Sequence, residues 1–398
     1  SSSSTSSFDP IRTRWGVSRG RISNIDAVQV TIPLDVQLTD LGVVPAVDSD
    51  LLVVSPSIVR IDKCEIASTF QTCRANVLSL VAPDKTQLAL PPPQQPGQPA
   101  PPPPPPTASR LLNLVVDRTP PGFAPIESAS SSLDPSVSAR LSALNDGQRD
   151  AVMKVLSSLD YTLILGMPGT GKTTTIAAAT RALTSAGYRV LLTAYTHNAV
   201  DALLLKLLDE GVPFLRIGAI DKVHPLIRPH TLTHLTQQHG EGEEGGNVPP
   251  SVLIDRLGME WSNRSVIAAT SLSLNHPLLT SSGSAFDVAI VDEAGQITEP
   301  VCLGPLLMSR RFVLVGDSYQ LPPLVSNPDA RSEGMDVSLF QRLSEAHPHA
   351  VATLSAQYRM CDPIMAVCNT LTYGGELTCG SDEVANASLI LPDPSQMP

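Results

Sequence analysis

The sequence predicts an α/β fold, a parallel sheet with helices on both faces, on three observations. Five runs, YTLILGM (161–167), YRVLLTAYT (188–196), SVIAATS (265–271), FDVAIVDEA (286–294) and RFVLVGD (311–317), are almost continuously apolar, as strands buried on both faces are. The stretches KTTTIAAATRALTSAG (172–187) and HNAVDALLLKLLDEG (197–211) lie between them and read as helices, the second with Gly211 as its stop. The first run passes into GMPGTGKT (166–173), the pattern of a loop that wraps phosphates between a strand and a helix. Such a sheet takes its ligands at the carboxyl ends of its strands.

Composition sets the limits. The 398 residues allow two or three domains with substantial cores. A hydrophobic fraction of 42% with only 4% aromatic residues suits an α/β protein built from Val, Leu, Ile and Ala. The net charge of −11 argues against broad attraction to nucleic acid but leaves room for a local basic groove. No run approaches the length of apolar residues that spans a membrane, and no signal peptide opens the chain at Ser1. Six scattered cysteines, Cys64, Cys73, Cys302, Cys361, Cys368 and Cys379, fit reduced thiols in an intracellular compartment and have no zinc-like spacing.

Along the chain, residues 1–7 are low-complexity serine and expected to be disordered. Residues 8–118 hold short alternating runs (RISNIDAVQVTIPL, LLVVSPSIVRID, NVLSLVAP, RLLNLVVD) that predict a small β-rich barrel, interrupted by a proline-rich insertion over 86–108. Within it IRTRWGVSRGR (11–21) sets Trp15 among four arginines, a stacking platform for single strands or simply a solvated face. A linker follows over 119–134, then an ATPase-like domain over 135–345 with an acidic, glycine-rich surface loop at 237–250, and the start of a second domain over 346–398.

The chemistry concentrates at strand ends. Gly166, Pro168, Gly169, Thr170, Gly171, Lys172, Thr173 and Thr174 are the candidate nucleotide contacts. The glycines admit the phosphates, Lys172 reaches the β/γ-phosphates and Thr173 offers its hydroxyl to Mg²⁺. VDEAGQ (291–296) supplies Asp292 as the second metal ligand and Glu293 to polarise the attacking water. Gln148, in LNDGQRDAV, could read an adenine edge, although alone it is an ordinary polar helix residue. Gln320 in VGDSYQLPPLV could sense the γ-phosphate, and SAQYRM offers Tyr358 for stacking and Arg359 as a cationic finger.

The ordered series LNDGQRDAV, GMPGTGKTTT, TAYTHNAVD, VDEAGQ, GDSYQLPP and QYRM resembles superfamily 1 helicases of the 5′→3′ subgroup. Longer stretches, among them RIDKCEIASTFQTCRANVLSL (60–80), CLGPLLMSRRFVLVGDSYQLPPLV (302–325) and LTYGGELTCGSDEVANA (371–387), resemble the eukaryotic DNA replication helicase/nuclease family. The resemblance implies a RecA-like P-loop NTPase domain, ATP and Mg²⁺ as cofactors, and the site roles just given. It further implies that Thr196, His197 and Asn198, with Thr270 as a weaker candidate, touch the nucleic-acid backbone. N-capping by Thr196 explains part of that triplet equally well. The implied partners are single-stranded or flap DNA, a single-strand-binding protein and replication and repair factors, with no membrane. The implied compartment is the nucleus, with the mitochondrion beside it. Such helicases place ATP between two RecA-like domains. Most of the second, and a nuclease domain with its iron–sulfur cluster, would then lie outside this chain. An RNA helicase of the nonsense-mediated-decay type, and an ATP-binding interaction module without motor activity, are the rival readings, because the motifs alone do not separate RNA from DNA.

Overall fold

The computed structural model describes residues 68–81, 108–126, 133–232, 264–274 and 286–388, with isolated positions at 24–25, 30–31, 234, 259–261, 263, 276 and 279. The serine-rich start, the arginine-rich run at 11–21, Cys64, nearly all of the expected barrel before residue 68, the proline tract over 86–107 and the loop at 237–250 lie outside the described residues. The chain divides into two compact units, 1–66 and 67–398. In the first, β1 (Asn24–Ile25) pairs antiparallel with β2 (Val30–Thr31).

The second unit opens with two helices where strands were expected. NVLSLV falls inside α1 (Ser68–Val81), and RLLNLV inside α2 (Ala108–Val115). The buried residues explain the correction. Thr72, Asn76 and Leu80 on α1 are spaced by four, and Leu111, Leu114 and Val115 on α2 by three and one, which is one face of a helix. On α1 two inward positions are polar, so the period is invisible in hydropathy. Asn76 Nδ2 donates to the Pro300 carbonyl at 2.9 Å, which compensates its burial.

The sheet has seven strands: β3 (Tyr161–Gly166), β4 (Val190–Ala194), β5 (Phe214–Arg216), β6 (Val266–Thr270), β7 (Phe286–Asp292), β8 (Ser309–Gly316) and β9 (Val351–Leu354). Their order is β5-β6-β4-β7-β8-β3-β9 and every pairing is parallel. β8 therefore stands between β3, which carries the phosphate loop, and β7, which carries Asp292. β9 completes the sheet beside β3, so residues expected to open the second domain still belong to this one.

Helices cover both faces. On one side α3 (Pro135–Ser142), α4 (Asp146–Ser157), α5 (Lys172–Ser185) and α6 (His197–Asp209) bury Val152, Ile176, Leu204, Leu192 and Val315. On the other, α1, α2, α7 (Glu299–Leu307) and a later helix, α9 (Leu339–Ala346), bury Leu114, Leu303 and Phe340 against Leu191, Phe286 and Val291. Each such side chain contributes about 1.5–3 kcal/mol. Glu210, after α6, binds Arg140 of α3 and Arg181 of α5, tying one helical layer together. Between α7 and α9 runs the short α8 (Pro328–Ser332). After β9 the chain forms β10 (Ala356–Gln357), which pairs in parallel with β11 (Thr378–Cys379), and the helices α10 (Asp362–Cys368) and α11 (Asp382–Ala385).

Candidate active site

The phosphate loop runs from the end of β3 into α5, whose N-cap is Gly171 at φ 81°. Gly169 also takes positive φ, 76°, a conformation that glycine adopts without strain. A Cβ on Gly166 would stand 2.2 Å from Cγ of Lys172, so the absence of a side chain there lets the lysine stem fold over the loop. Lys172 Nζ donates to the Gly166 carbonyl at 2.7 Å. Thr173 and Thr174 follow on the first turn of α5, half-buried, where the helix N-terminus favours anions.

Asp292 ends β7 and is 6% exposed. Its carboxylate accepts one backbone bond, from Glu293 N at 2.9 Å. Burial, with the neighbouring Glu293 charge adding to it, pushes the Asp292 carboxyl up to about 7, against the opposing pull of that bond and of Lys172. A buried carboxylate beside a second one is stabilised in its charged form by a nearby cation. The donor set fits Mg²⁺, which is commonly held by one or two protein oxygens together with substrate phosphates and water; Asp292 and Thr173 are the residues that would hold it. Among the described residues no three His, Cys, Asp or Glu side chains gather as a metal cluster, and none fits an iron–sulfur centre. Glu293 sits at φ 54°, a left-handed conformation that is costly for a non-glycine residue and recurs at functional sites. The turn after it presses on β8: a Cβ on Gly295 would meet the Asp317 carbonyl at 2.9 Å, and one on Gly316 the Gly295 nitrogen at 2.8 Å.

Of four further candidates, Gln148, Tyr358 and Arg359 reach this loop, and Gln320 is bonded to Asp317 instead. Gln148 is buried; its Nε2 donates to the Thr170 carbonyl at 3.0 Å, and its Oε1 accepts from Asn145 N in a reciprocal capping box. Gln320 is exposed and donates Nε2 to Asp317 at 2.7 Å. Tyr358 N donates to the Gly169 carbonyl at 2.9 Å, and its hydroxyl accepts from Asn145 Nδ2 at 3.0 Å. Its ring lies over Gly380, where a Cβ would be 2.2 Å away. The exposed Arg359 brings its Cβ against Gly169. The turn that carries Arg359 is held by Gln357, fully buried, whose Oε1 accepts from Arg359 N and Met360 N at 2.8 and 2.7 Å.

The nucleic-acid candidates form a second cluster. Thr196 caps α6 by accepting from Ala199 N at 3.2 Å. His197 is half-buried, with Nδ1 at 3.1 Å from Arg216 Nη2, and Asn198 is exposed. Thr270, at the end of β6, is buried and bonded to Ser273 Oγ at 2.7 Å. Asn145, Asp317, Gln357 and Arg216 were not foreseen. The first could have been read from the Asn145–Gln148 capping-box spacing; the others become visible only with the fold.

An AAA-domain family model matches residues 143–251 and 259–328, and a second AAA-domain model matches 335–396. The chain is 41% identical to the DNA replication ATP-dependent helicase/nuclease DNA2 of Bos taurus over 96% of its own length and 32% of that protein. It is 48% identical to that of Mus musculus over 72% of this chain and 26% of the relative, and 39% identical to that of Saccharomyces cerevisiae over 85% and 21%. The solved Pif1 helicase from Candida albicans aligns over 57% of this chain and 44% of its own at 18% identity and a TM-score of 0.30, too slight a likeness to bear on the argument. The chain thus spans about a third or less of the length of these relatives. On the matched sequence and on the seven-stranded sheet with its phosphate loop, this chain has a RecA-like α/β fold and is homologous over most of its length to the eukaryotic DNA replication ATP-dependent helicase/nucleases.

Proposed function

We propose that this chain is the ATP-driven core of a 5′→3′ DNA helicase that acts beside a nuclease on 5′ flaps, in Okazaki-fragment maturation and end resection. Its partners are single-stranded or flap DNA, a single-strand-binding protein and replication and repair factors, in the nucleus and the mitochondrion. The reading rests on one observation above all. Lys172, the β7 tip with Asp292 and Glu293, and the Tyr358–Arg359 pair come from three distant segments and meet around one loop. The relatives' names, helicase/nucleases of DNA replication, support DNA as the track.

In this mechanism the triphosphate lies on the backbone N–H groups of 169–173 and the α5 terminus. Lys172 exchanges the Gly166 carbonyl for β/γ-phosphate oxygens. Thr173 and Asp292 would hold Mg²⁺, which would supply charge neutralisation for phosphoryl transfer. Glu293 orients and deprotonates the water, Gln320 leaves Asp317 to sense the γ-phosphate, and Arg359 meets the developing charge. Gln148 and Tyr358 hold the adenine. Thr196, His197, Asn198 and Thr270 hold the strand.

The test is ATP turnover by a polypeptide extended through a complete second domain, with single-stranded DNA or RNA of matching sequence. Stimulation by DNA alone is expected. Equal or RNA-biased stimulation assigns the chain to RNA, and no stimulation by either leaves a nucleotide-binding module.

A further inference from the structure

Arg216 is the largest fully buried side chain among the described residues, and it lies on an edge strand away from the phosphate loop. A buried guanidinium is costly unless its nitrogens find hydrogen-bond partners. Here Nε donates to Asp201 Oδ1 at 3.0 Å, Nη1 to the Ile217 carbonyl, and Nη2 contacts His197 Nδ1 at 3.1 Å. Asp201 is locked in turn, its Oδ2 accepting from His224 N at 2.7 Å. Gly218 leaves room for the guanidinium, since a Cβ there would stand 3.2 Å from Nη1.

The contact with His197 has a definite polarity. Arginine has no acceptor and does not lose its proton in proteins, so Nδ1 must be the acceptor. The neutral imidazole then carries its proton on Nε2, which donates to no described residue. We propose that Arg216, anchored by Asp201, is a positioning residue that fixes His197 as an Nε2–H donor to a phosphate oxygen of a bound single strand. This rests on the reading that the turn at 196–198 faces nucleic acid, and it adds how that turn is set. Burial, with the Arg216 and Lys222 charges adding to it, holds the His197 imidazolium below the usual histidine range, while Asp201 and Asp221 oppose that shift. The same effects favour the neutral ring as the donor.

The experiment has two readouts on the full chain. Nitrogen NMR of ¹⁵N-histidine-labelled protein reports the tautomer directly; an unprotonated Nδ1 in the neutral ring at about pH 8 is expected, and an Nδ1–H tautomer overturns the proposal without any variant. Fluorescence anisotropy with a labelled oligothymidylate then compares Arg216→Lys, His197→Ala and the double variant. Losing one hydrogen bond to a charged oxygen weakens binding about tenfold or more. Each single variant is expected to show that loss, and the double variant no more than His197→Ala alone. Additive losses overturn the positioning role. Wild-type affinity in His197→Ala removes nucleic acid from the turn, and the proposal with it, while the NMR result still decides the Arg216–His197 lock. Where Arg216→Lys does not fold, Arg216→Gln with Asp201→Asn takes its place, removing the charge pair while keeping polar side chains at both positions. The expected result is then a mixed tautomer with the same non-additivity, and an unaltered tautomer overturns the proposal.

Discussion

Two neighbouring strands end in aspartates with opposite fates. Asp317, just beyond β8, is buried and takes donors from three places: Tyr319 N at 3.0 Å, Gln320 Nε2 at 2.7 Å and the Tyr373 hydroxyl at 2.9 Å. Asp292, at the end of β7, is equally buried but receives one backbone N–H and faces Glu293. Burial costs both the same solvation, and only Asp317 recovers it inside the protein. The difference marks one carboxylate as a joint within the fold and accords with the role proposed for the other, as a ligand of Mg²⁺.

The comparison can be broken in a definite order. Asp292→Asn should lower ATP turnover by about a thousandfold or more, on the scale of a lost charge-stabilising group, yet stabilise the nucleotide-free protein at pH 8. The sign follows from linkage. The folded carboxyl, raised to about 7, holds its proton where the unfolded one has released it. Wild-type stability therefore falls as pH rises from about 4 to 7, at most by about 1.4 kcal/mol per pH unit from this group. Denaturant melts across that range should show that component in the wild type and not in the variant; identical profiles would place Asp292 in ordinary solvent. Lys172→Ala removes a cation that favours ionised Asp292. Nucleotide binding, read by calorimetry, should disappear while the chain stays folded, and unchanged affinity would sink the loop assignment.

Asp317→Ala should act in the opposite sense from Asp292→Asn. It strands the buried Tyr373 hydroxyl and removes the acceptor of Tyr319 N and the Gln320 amide, and should cost about 2–4 kcal/mol of stability, measured by denaturant unfolding at neutral pH. Tyr373→Phe deletes only one of the three donors. Its expected cost is smaller, about 1–2 kcal/mol, and a larger loss would mean that the hydroxyl serves more than Asp317.

Much of this was legible in advance because buried parallel strands are written in continuous apolar runs. The runs at 161–167, 188–196, 265–271, 286–294 and 311–317 became β3, β4, β6, β7 and β8 with ends shifted by one or more residues. β5 and β9 are short, FLR and VATL, and too brief to show any period. α1 was misread because Thr72 and Asn76 face inward, and a polar side chain with a local partner erases the hydrophobic pattern. At the site, residue types alone carried the roles proposed for Lys172, Asp292 and Glu293. The present partners of Gln148 and Gln320 were not legible, since the Thr170 carbonyl and Asp317 come near only when the sheet has formed.

The bond from Tyr358 N to the Gly169 carbonyl joins the phosphate-binding loop directly to the segment that leaves the sheet. No spacer or lever stands between them, and Gly169 keeps the seam closed by having no side chain to set against Arg359. Linkage then runs both ways across this seam. Whatever free energy a nucleotide spends in shifting residues 356–359, a ligand gripping those residues returns in full as a change in nucleotide affinity. On the proposed function, nucleotide affinity would read out the state of the segment beyond the loop.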